Sequence, residues 1–390
     1  MAQVEQADDE GETALAIAEC MAVVLEALPH SSLPSAEQLI WVIDHLLEDD
    51  YSLLEAGEKL LESPQYGEQD WQMAARSLQV LLNSEGAPGA SRRYQRLRLV
   101  GRLQVAYARG GWHERILPML EREANVCWNY EQLVDALLAA GERERARQWC
   151  IQGYAKTVQE ARGIAECMRE KLHMLALTEG QYDLACAYRA ERFFSQPSLA
   201  AFSELREAAE QADKWGAVRA AALAFLETGL PPDLGDDAQV LPRWPLPPSE
   251  LAHLHGTSKP SVQRFPELDL LISIAILEQR HDDVVALYRR LPKTPSWNWD
   301  TEKRVAEAVA ASHPDIALAI WRAIADGLIA KVQPSAYVEA AGYLRRMRQV
   351  YQACQRDDEW QALMVHLRKT HKAKRRLQEV LDNLSGAKLV

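Results

Sequence analysis

One unit recurs along this chain and restricts its fold more than any other feature. An apolar helical stretch meets a tight turn on a small or polar residue, and a second helical stretch then opens on an aromatic or charged residue. It reads "VAYARGGWHERILPMLEREA" around Gly111, "ALLAAGERERARQWCIQGY" around Gly141, "LALTEGQYDLACAYRAERFF" around Gly180 and "AAEQADKWGAVRAAALAFLETG" around Trp215. Later copies are "IAILEQRHDDVVALYRRLP" around His281, "AVAASHPDIALAIWRAIAD" around Pro314 and "CQRDDEWQALMVHLRK" around Trp360. The separations of 30, 39, 34 or 35, 66, 33 and 46 residues bracket the period of helix-turn-helix solenoids without keeping a strict 34-residue spacing. One such pair cannot bury its apolar face alone, so neighbours must stack. The expected fold is all-α, a tetratricopeptide-like array of helix-turn-helix repeats forming an α-solenoid.

Local patterning agrees. In "SAEQLIWVIDHLLEDDY", Leu39, Val42, Ile43, Leu46 and Leu47 share one face of a 3.6-residue period, and Ser35 with Gln38 has the spacing of a capping box. Alternating β-branched runs joined by hairpin turns do not occur. Two interruptions divide the chain: "SEGAPGASR" at 84–92, and residues 229–266, whose eight prolines remove backbone donors and disfavour helix in their predecessors. The expected organisation is an acidic disordered segment at 1–12, a helical segment at 13–83 and an array at 92–229. A Pro-rich linker or ordered loop at 230–266 follows, in which Trp244 packs on the array, and then repeats at 267–385 ending in a basic helix. Trp112, Trp215 and Trp360, each opening a second helix, are expected to pack between repeats.

Charge is polarised. Residues 1–62 hold fifteen carboxylates against Lys59, whereas residues 361–390 hold seven cations against Glu379 and Asp382, in a chain of net charge −12. That distribution disfavours general adhesion to a polyanion and confines such a contact to the basic end. The first apolar run is interrupted by Glu19 and Glu26, and no run of about 20 apolar residues predicts a membrane span. The six cysteines never form Cys-x-Cys or Cys-x-x-Cys, which predicts reduced, mostly buried thiols in a cytoplasmic protein.

Signatures of chemistry are missing. The chain contains no Gly-x-x-x-x-Gly-Lys-Ser/Thr, no Gly-x-Gly-x-x-Gly after a strand, no His-Glu-x-x-His and no Gly-x-Ser-x-Gly. His253 and His255 lack a nearby acidic or thiol partner for a metal, and His366 and His371, five residues apart, do not share a helical face. The carboxylates Glu48, Asp49 and Asp50 read as a solvated helix end. The expectation is a non-enzymatic protein with no catalytic, cofactor or metal residues, since repeat arrays offer extended binding surfaces instead.

Several segments in order resemble a known family. "LIWVIDHLLEDDYSLLE" from Leu39, Gly-x-x-x-x-Ala helix pairs, "FFSQPSLAAFSELREAAEQADKW" from Phe193, "VRAAALAFLETG" from Val218, "WPLP" from Trp244 and the basic "HLRKTHKAKRRL" are similar to the helical region following the zinc module of bacterial SWIM zinc-finger proteins. The likeness runs from about Leu39 to Leu377. The Cys-x-Cys and Cys-x-His ligands of a SWIM module are absent, so the resemblance implies a SWIM-less carboxy-terminal half, and zinc-mediated binding does not carry over. It further implies an assembly with a MoxR-type AAA+ ATPase and von Willebrand A-domain proteins, or with a separate SWIM-bearing polypeptide.

Candidate partner-binding residues follow from "HLRKTHKAKRRLQEVL" and "PSWNWD". In the first, Leu363, Leu367, Thr370, Leu377, Leu381 and Leu384 form the stripe of one amphipathic helix, leaving Lys369, Lys372, Arg375 and Arg376 outward. In the second, Trp297 and Trp299 lie on a loop, where indoles serve either core packing or partner contact. The expected function is a scaffold for protein–protein interaction, the basic helix meeting an acidic protein surface such as the chain's own first 62 residues or a second copy. The alternative is a nucleic-acid accessory protein using that helix and Arg92 to Arg102, although no aromatic side chain interleaves the terminal cations.

Overall fold

The structure, a computed structural model, describes residues 12–84, 90–232, 244–254, 265–291 and 300–385. Among these residues there are 19 α-helices and no strand. They fall into two compact units, Met1–Gln181 with Pro248–Ser258, and Tyr182–Pro247 with Lys259–Val390. The division lies inside the expected 92–229 array, just after the turn at Gly180, and the Pro-rich segment contributes to both units.

The first unit runs α1 (Glu12–Ala27), α2 (Ser35–Glu48), α3 (Glu55–Leu61), α4 (Glu68–Ser84), α5 (Ala90–Arg109), α6 (Ile116–Cys127), α7 (Tyr130–Ala139), α8 (Arg143–Thr157) and α9 (Arg162–Thr178). The stripe read in α2 is the buried face: Leu39, Val42, Ile43 and Leu46 are all buried, and Leu47 is half-buried. Each fully buried aliphatic side chain of this kind contributes about 1.5–3 kcal/mol. Further along, Leu120, Tyr130, Leu133, Leu137 and Tyr154 are completely enclosed. Leu251 is likewise buried, and Glu250 faces Arg147, which also donates to Glu179.

The second unit runs α10 (Tyr182–Ser195), α11 (Leu199–Gln211), α12 (Trp215–Thr228), α13 (Leu268–Leu277), α14 (His281–Arg290), α15 (Asp300–Val309), α16 (Pro314–Ala330), α17 (Pro334–Ala353), α18 (Asp357–Thr370) and α19 (Arg375–Ser385). Its first core is aromatic, with Phe193 against Phe202 and Phe225, Trp215 edge-on to Phe202 at 5.4 Å, and Trp244 edge-on to Phe194 at 5.6 Å. Such edge-to-face pairs add about 0.5–1.5 kcal/mol beyond area burial. Trp244 therefore packs where the sequence suggested. A second core joins Trp321, Ile324 and Leu328 of α16 to Leu344 and Met347 of α17, Trp360 of α18 and Leu377, Leu381 and Leu384 of α19. Within each unit, closely packed helices lie at most three places apart in chain order.

Six connections close in the same way. Residues Gly111, Gly141, Gly180, Asp213, Gln279 and Gln355 take left-handed φ values of 54–80°. In each, the following amide donates five residues back at 2.8–2.9 Å, as from Glu142 to the Leu137 carbonyl and from Arg356 to that of Tyr351. The left-handed residue itself donates three residues back, which completes a Schellman closure and satisfies carbonyls the helix end would orphan. The turn before α16 differs: Pro314 opens that helix at N1, and the His313 amide donates to Val309.

Three expectations are corrected. Ser35 does not cap α2, because Pro34 occupies the N-cap and Gln38 instead donates its side-chain amide to the Leu33 carbonyl at 2.8 Å. Asp49 is not solvated: it is buried, and its carboxylate accepts from the amides of Tyr51 and Leu54, shaping the chain between α2 and α3. Thr13–His30 is long and apolar enough, by length and composition, to cross a membrane, since alanines fill it and only Glu19 and Glu26 interrupt it.

Candidate docking surface at the C-terminal turn

The basic stretch is two helices and a turn, a correction of the single helix expected from its leucines. A continuous helix would set Arg368 against Lys372, and Lys372 against Arg375 and Arg376, at i,i+3 and i,i+4 spacing, where like charges repel. It would also leave the inner stripe without an apolar residue between Leu367 and Leu377. Helix α18 instead carries Asp357, Asp358 and Glu359 in its first turn and Arg368 and Lys369 in its last, each sign matched to the helix dipole, and it ends at Thr370.

Internal bonds hold the turn. Lys374 donates through Nζ to the Ile329 carbonyl at 2.9 Å, closing the C-terminal end of α16. Gln378 donates to the His371 carbonyl at 3.0 Å, Arg368 pairs with Asp382 at 2.9 Å, and Arg348 donates to the Leu384 carbonyl at 2.9 Å. Leu377, Leu381 and Leu384 fill the core beneath. Burial, followed by the charge of Lys374, lowers the pKa of His371, so the imidazole is neutral at physiological pH.

Two of the six clustered cations are thus committed inward. The other four, Lys369, Lys372, Arg375 and Arg376, are all exposed, Arg375 at 94% and Arg376 at 76% of the side chain. Both arginines face only Glu379, at 4.0 and 3.2 Å, among the described residues, so the turn carries uncompensated positive charge. Val365, one helical turn before Lys369, is 65% exposed beside them.

The other arginine run points the opposite way. Arg96 is buried with its Nε 2.7 Å from Glu123 Oε2. Arg98 binds the Asp50 carboxylate at 2.8 Å and the Asp49 carbonyl at 2.9 Å, and Arg102 pairs with Glu58. Arg93 stands 3.8 Å over the Trp128 ring. Arg98 and Arg102 neutralise carboxylates just after α2 and within α3, and Arg96 one of α6, so the face proposed from Arg92 to Arg102 is largely consumed within the fold. The surplus of carboxylates in residues 1–62 is the sequence signal that they needed internal counter-ions.

Trp297 and Trp299 lie outside the described residues, as does His255. Among the described residues, no three His, Cys, Asp or Glu side chains gather into a metal-binding group. A hollow of about 470 Å³ in the second unit is lined by Leu199, Ile276, Leu277 and Ala308, with Arg304 bound to Ser273 at 2.6 Å and Glu307 paired with Arg346. Its polar groups are thereby engaged, which leaves the C-terminal turn as the better candidate. No family model, curated protein or solved structure matches this chain.

Proposed function

We propose that the chain is a non-enzymatic, tetratricopeptide-like helical-repeat scaffold of the cytoplasm that binds protein through its C-terminal turn. The observation that carries this reading is the contrast between arginines. Arg96, Arg98 and Arg102 of α5 are spent on internal partners, whereas Lys369, Lys372, Arg375 and Arg376 stand exposed on a turn that Lys374, Gln378 and Arg368 hold in place. A positive surface on a fixed base steers an acidic partner and sets its register. The six Schellman closures and the packing of near neighbours in chain order support the repeat-array part of the reading.

The order of segments similar to SWIM zinc-finger proteins supports an assembly with a MoxR-type AAA+ ATPase, a von Willebrand A-domain protein or a separate SWIM-bearing polypeptide. Affinity purification under mild conditions, compared with a variant carrying Lys369→Glu, Lys372→Glu, Arg375→Glu and Arg376→Glu, tests this. A defined partner retained by the parent and lost from the variant is expected; the same partners on both would remove the turn as the docking site.

The four outward cations also support a second reading, nucleic-acid binding. None of residues 361–390 is Phe, Tyr or Trp, so the strong stacking platforms for bases are lacking there. That reading requires affinity for DNA or RNA to fall steeply with salt and to disappear when Lys372, Arg375 and Arg376 are neutralised. Binding unchanged by those substitutions removes its site.

A further inference from the structure

Helix α1 is apolar on both faces, although only one is covered. Ile17, Ala18, Met21, Ala22 and Leu25 turn inward, while Leu15, Ala16, Glu19, Cys20, Val23, Val24 and Ala27 form an exposed stripe at four-residue intervals. Leu15 is 61% exposed, Val23 67% and Val24 45%, and only 11% of the Thr13–His30 segment is buried. A helix apolar all round belongs in an interior, and a contiguous exposed apolar stripe marks an interaction site.

Charge decides what covers it. Glu19 sits within the stripe and Glu26 beside it, both exposed, and no Lys or Arg precedes Lys59 in the chain. A second α1 would bring Glu19 against Glu19 inside a strongly acidic segment. An anionic lipid surface is repelled for the same reason, since such surfaces attract basic segments. The required match is cationic with an apolar element, and the C-terminal turn supplies it: Val365 and Lys369 are exposed one above the other on α18, with Lys372, Arg375 and Arg376 following. Along α1 the order Leu15, Glu19, Val23 alternates apolar and acidic at the same spacing.

We propose that α1 of one copy docks on the outward face of the α18–α19 turn of a second copy. The proposal rests on reading that turn as a protein-docking surface and names the occupant. Because the two patches differ, the contact is head-to-tail, and it propagates into a ring or an open chain of copies.

Sedimentation velocity on the full chain across a concentration series tests it. The parent is expected to self-associate at about 50 mM salt and to do so about tenfold more weakly at about 300 mM, where the screening length is shorter. One variant carries Lys369→Glu, Lys372→Glu, Arg375→Glu and Arg376→Glu; a second carries Glu19→Lys and Glu26→Lys. All six positions are exposed, and circular dichroism verifies folding. Each variant alone is expected to be monomeric, and an equimolar mixture to associate again, since each now presents what the other lacks. A parent that stays monomeric at low salt, or folded variants that fail to associate on mixing, overturns the proposal. A parent that stays monomeric at low salt yet captures another acidic protein through the turn would leave the docking reading standing and remove only this occupant.

Discussion

The buried pair between Arg96 of α5 and Glu123 of α6 offers a sharp test of how the first unit is held. The two side chains are 8% and 3% exposed and 2.7 Å apart. Removing one partner of such a pair leaves the other charge buried without its counter-ion and costs about 3–5 kcal/mol, whereas replacing both with apolar residues of similar volume is close to neutral. Each single substitution should fall in that range: Arg96→Met strips Glu123 of a guanidinium 2.7 Å away and leaves it Arg122 at 3.2 Å, and Glu123→Leu strips the buried Arg96 of that carboxylate. For a unit of this size about 1 kcal/mol moves Tm by roughly 2–4 °C, so drops of about 6–20 °C are expected. The double variant Arg96→Met/Glu123→Leu should return to within about 1 kcal/mol of the parent. Thermal unfolding followed by calorimetry, which separates the transitions of two units, measures all four proteins. A double variant as unstable as Glu123→Leu would refute the electrostatic account and leave lost packing as the cause.

Three further outcomes follow from local geometry. Gly153→Ala puts a Cβ 2.9 Å from the Tyr130 ring and is expected to destabilise by about 1–3 kcal/mol, while Gly342→Ala in α17 meets nothing within 4 Å and should stabilise by up to about 1 kcal/mol; urea midpoints compare them. Gln279→Gly and Gln355→Gly should each stabilise by roughly 1 kcal/mol by removing the Cβ from a left-handed turn, a gain that alanine at the same positions would not produce. Burial pushes the thiols of Cys150 and Cys186 up to about 12 and those of Cys127 and the half-buried Cys167 to about 11, so at about pH 8 only Cys20 and Cys354 should react promptly with Ellman's reagent, and all six after unfolding. Because an unfolded thiol ionises near 9, the stability held by the neutral buried thiols is complete below that pH and is lost as pH rises toward their folded values.

The periodicity of apolar residues identified the helices, and glycine identified three of the turns. Gly111, Gly141 and Gly180 take left-handed conformations where a residue without Cβ announces them. Asp213, Gln279 and Gln355 make the same closure with no such signal, because the surrounding helices dictate the turn and the side chain bears the strain. Like-charge repulsion along 368–376 was readable in principle, yet the spacing of Leu363, Leu367, Leu377 and Leu381 favours one helix when considered alone. The inward role of Arg96, Arg98 and Arg102 depends on contacts with residues 27 to 48 positions away, which no local pattern encodes. For the same reason the boundary after Gln181 was hidden, since its turn is built like its neighbours. In a linear string Glu19 and Glu26 look like interruptions of α1, whereas on the helix Glu19 lies within the exposed stripe and Glu26 beside it.

The return of Pro248–Ser258 to the first unit has a consequence for biosynthesis. The buried position of Leu251 in that unit is filled by a residue that follows α10, α11 and α12 in the chain. At about 5–20 residues per second, the interval between synthesis of Gln181 and of Ser249 is on the order of 3–14 s. The first unit therefore waits on the ribosome with part of its core unfilled while three helices of the second are made. A nascent chain halted within that window would be expected to expose apolar surface that the finished protein hides.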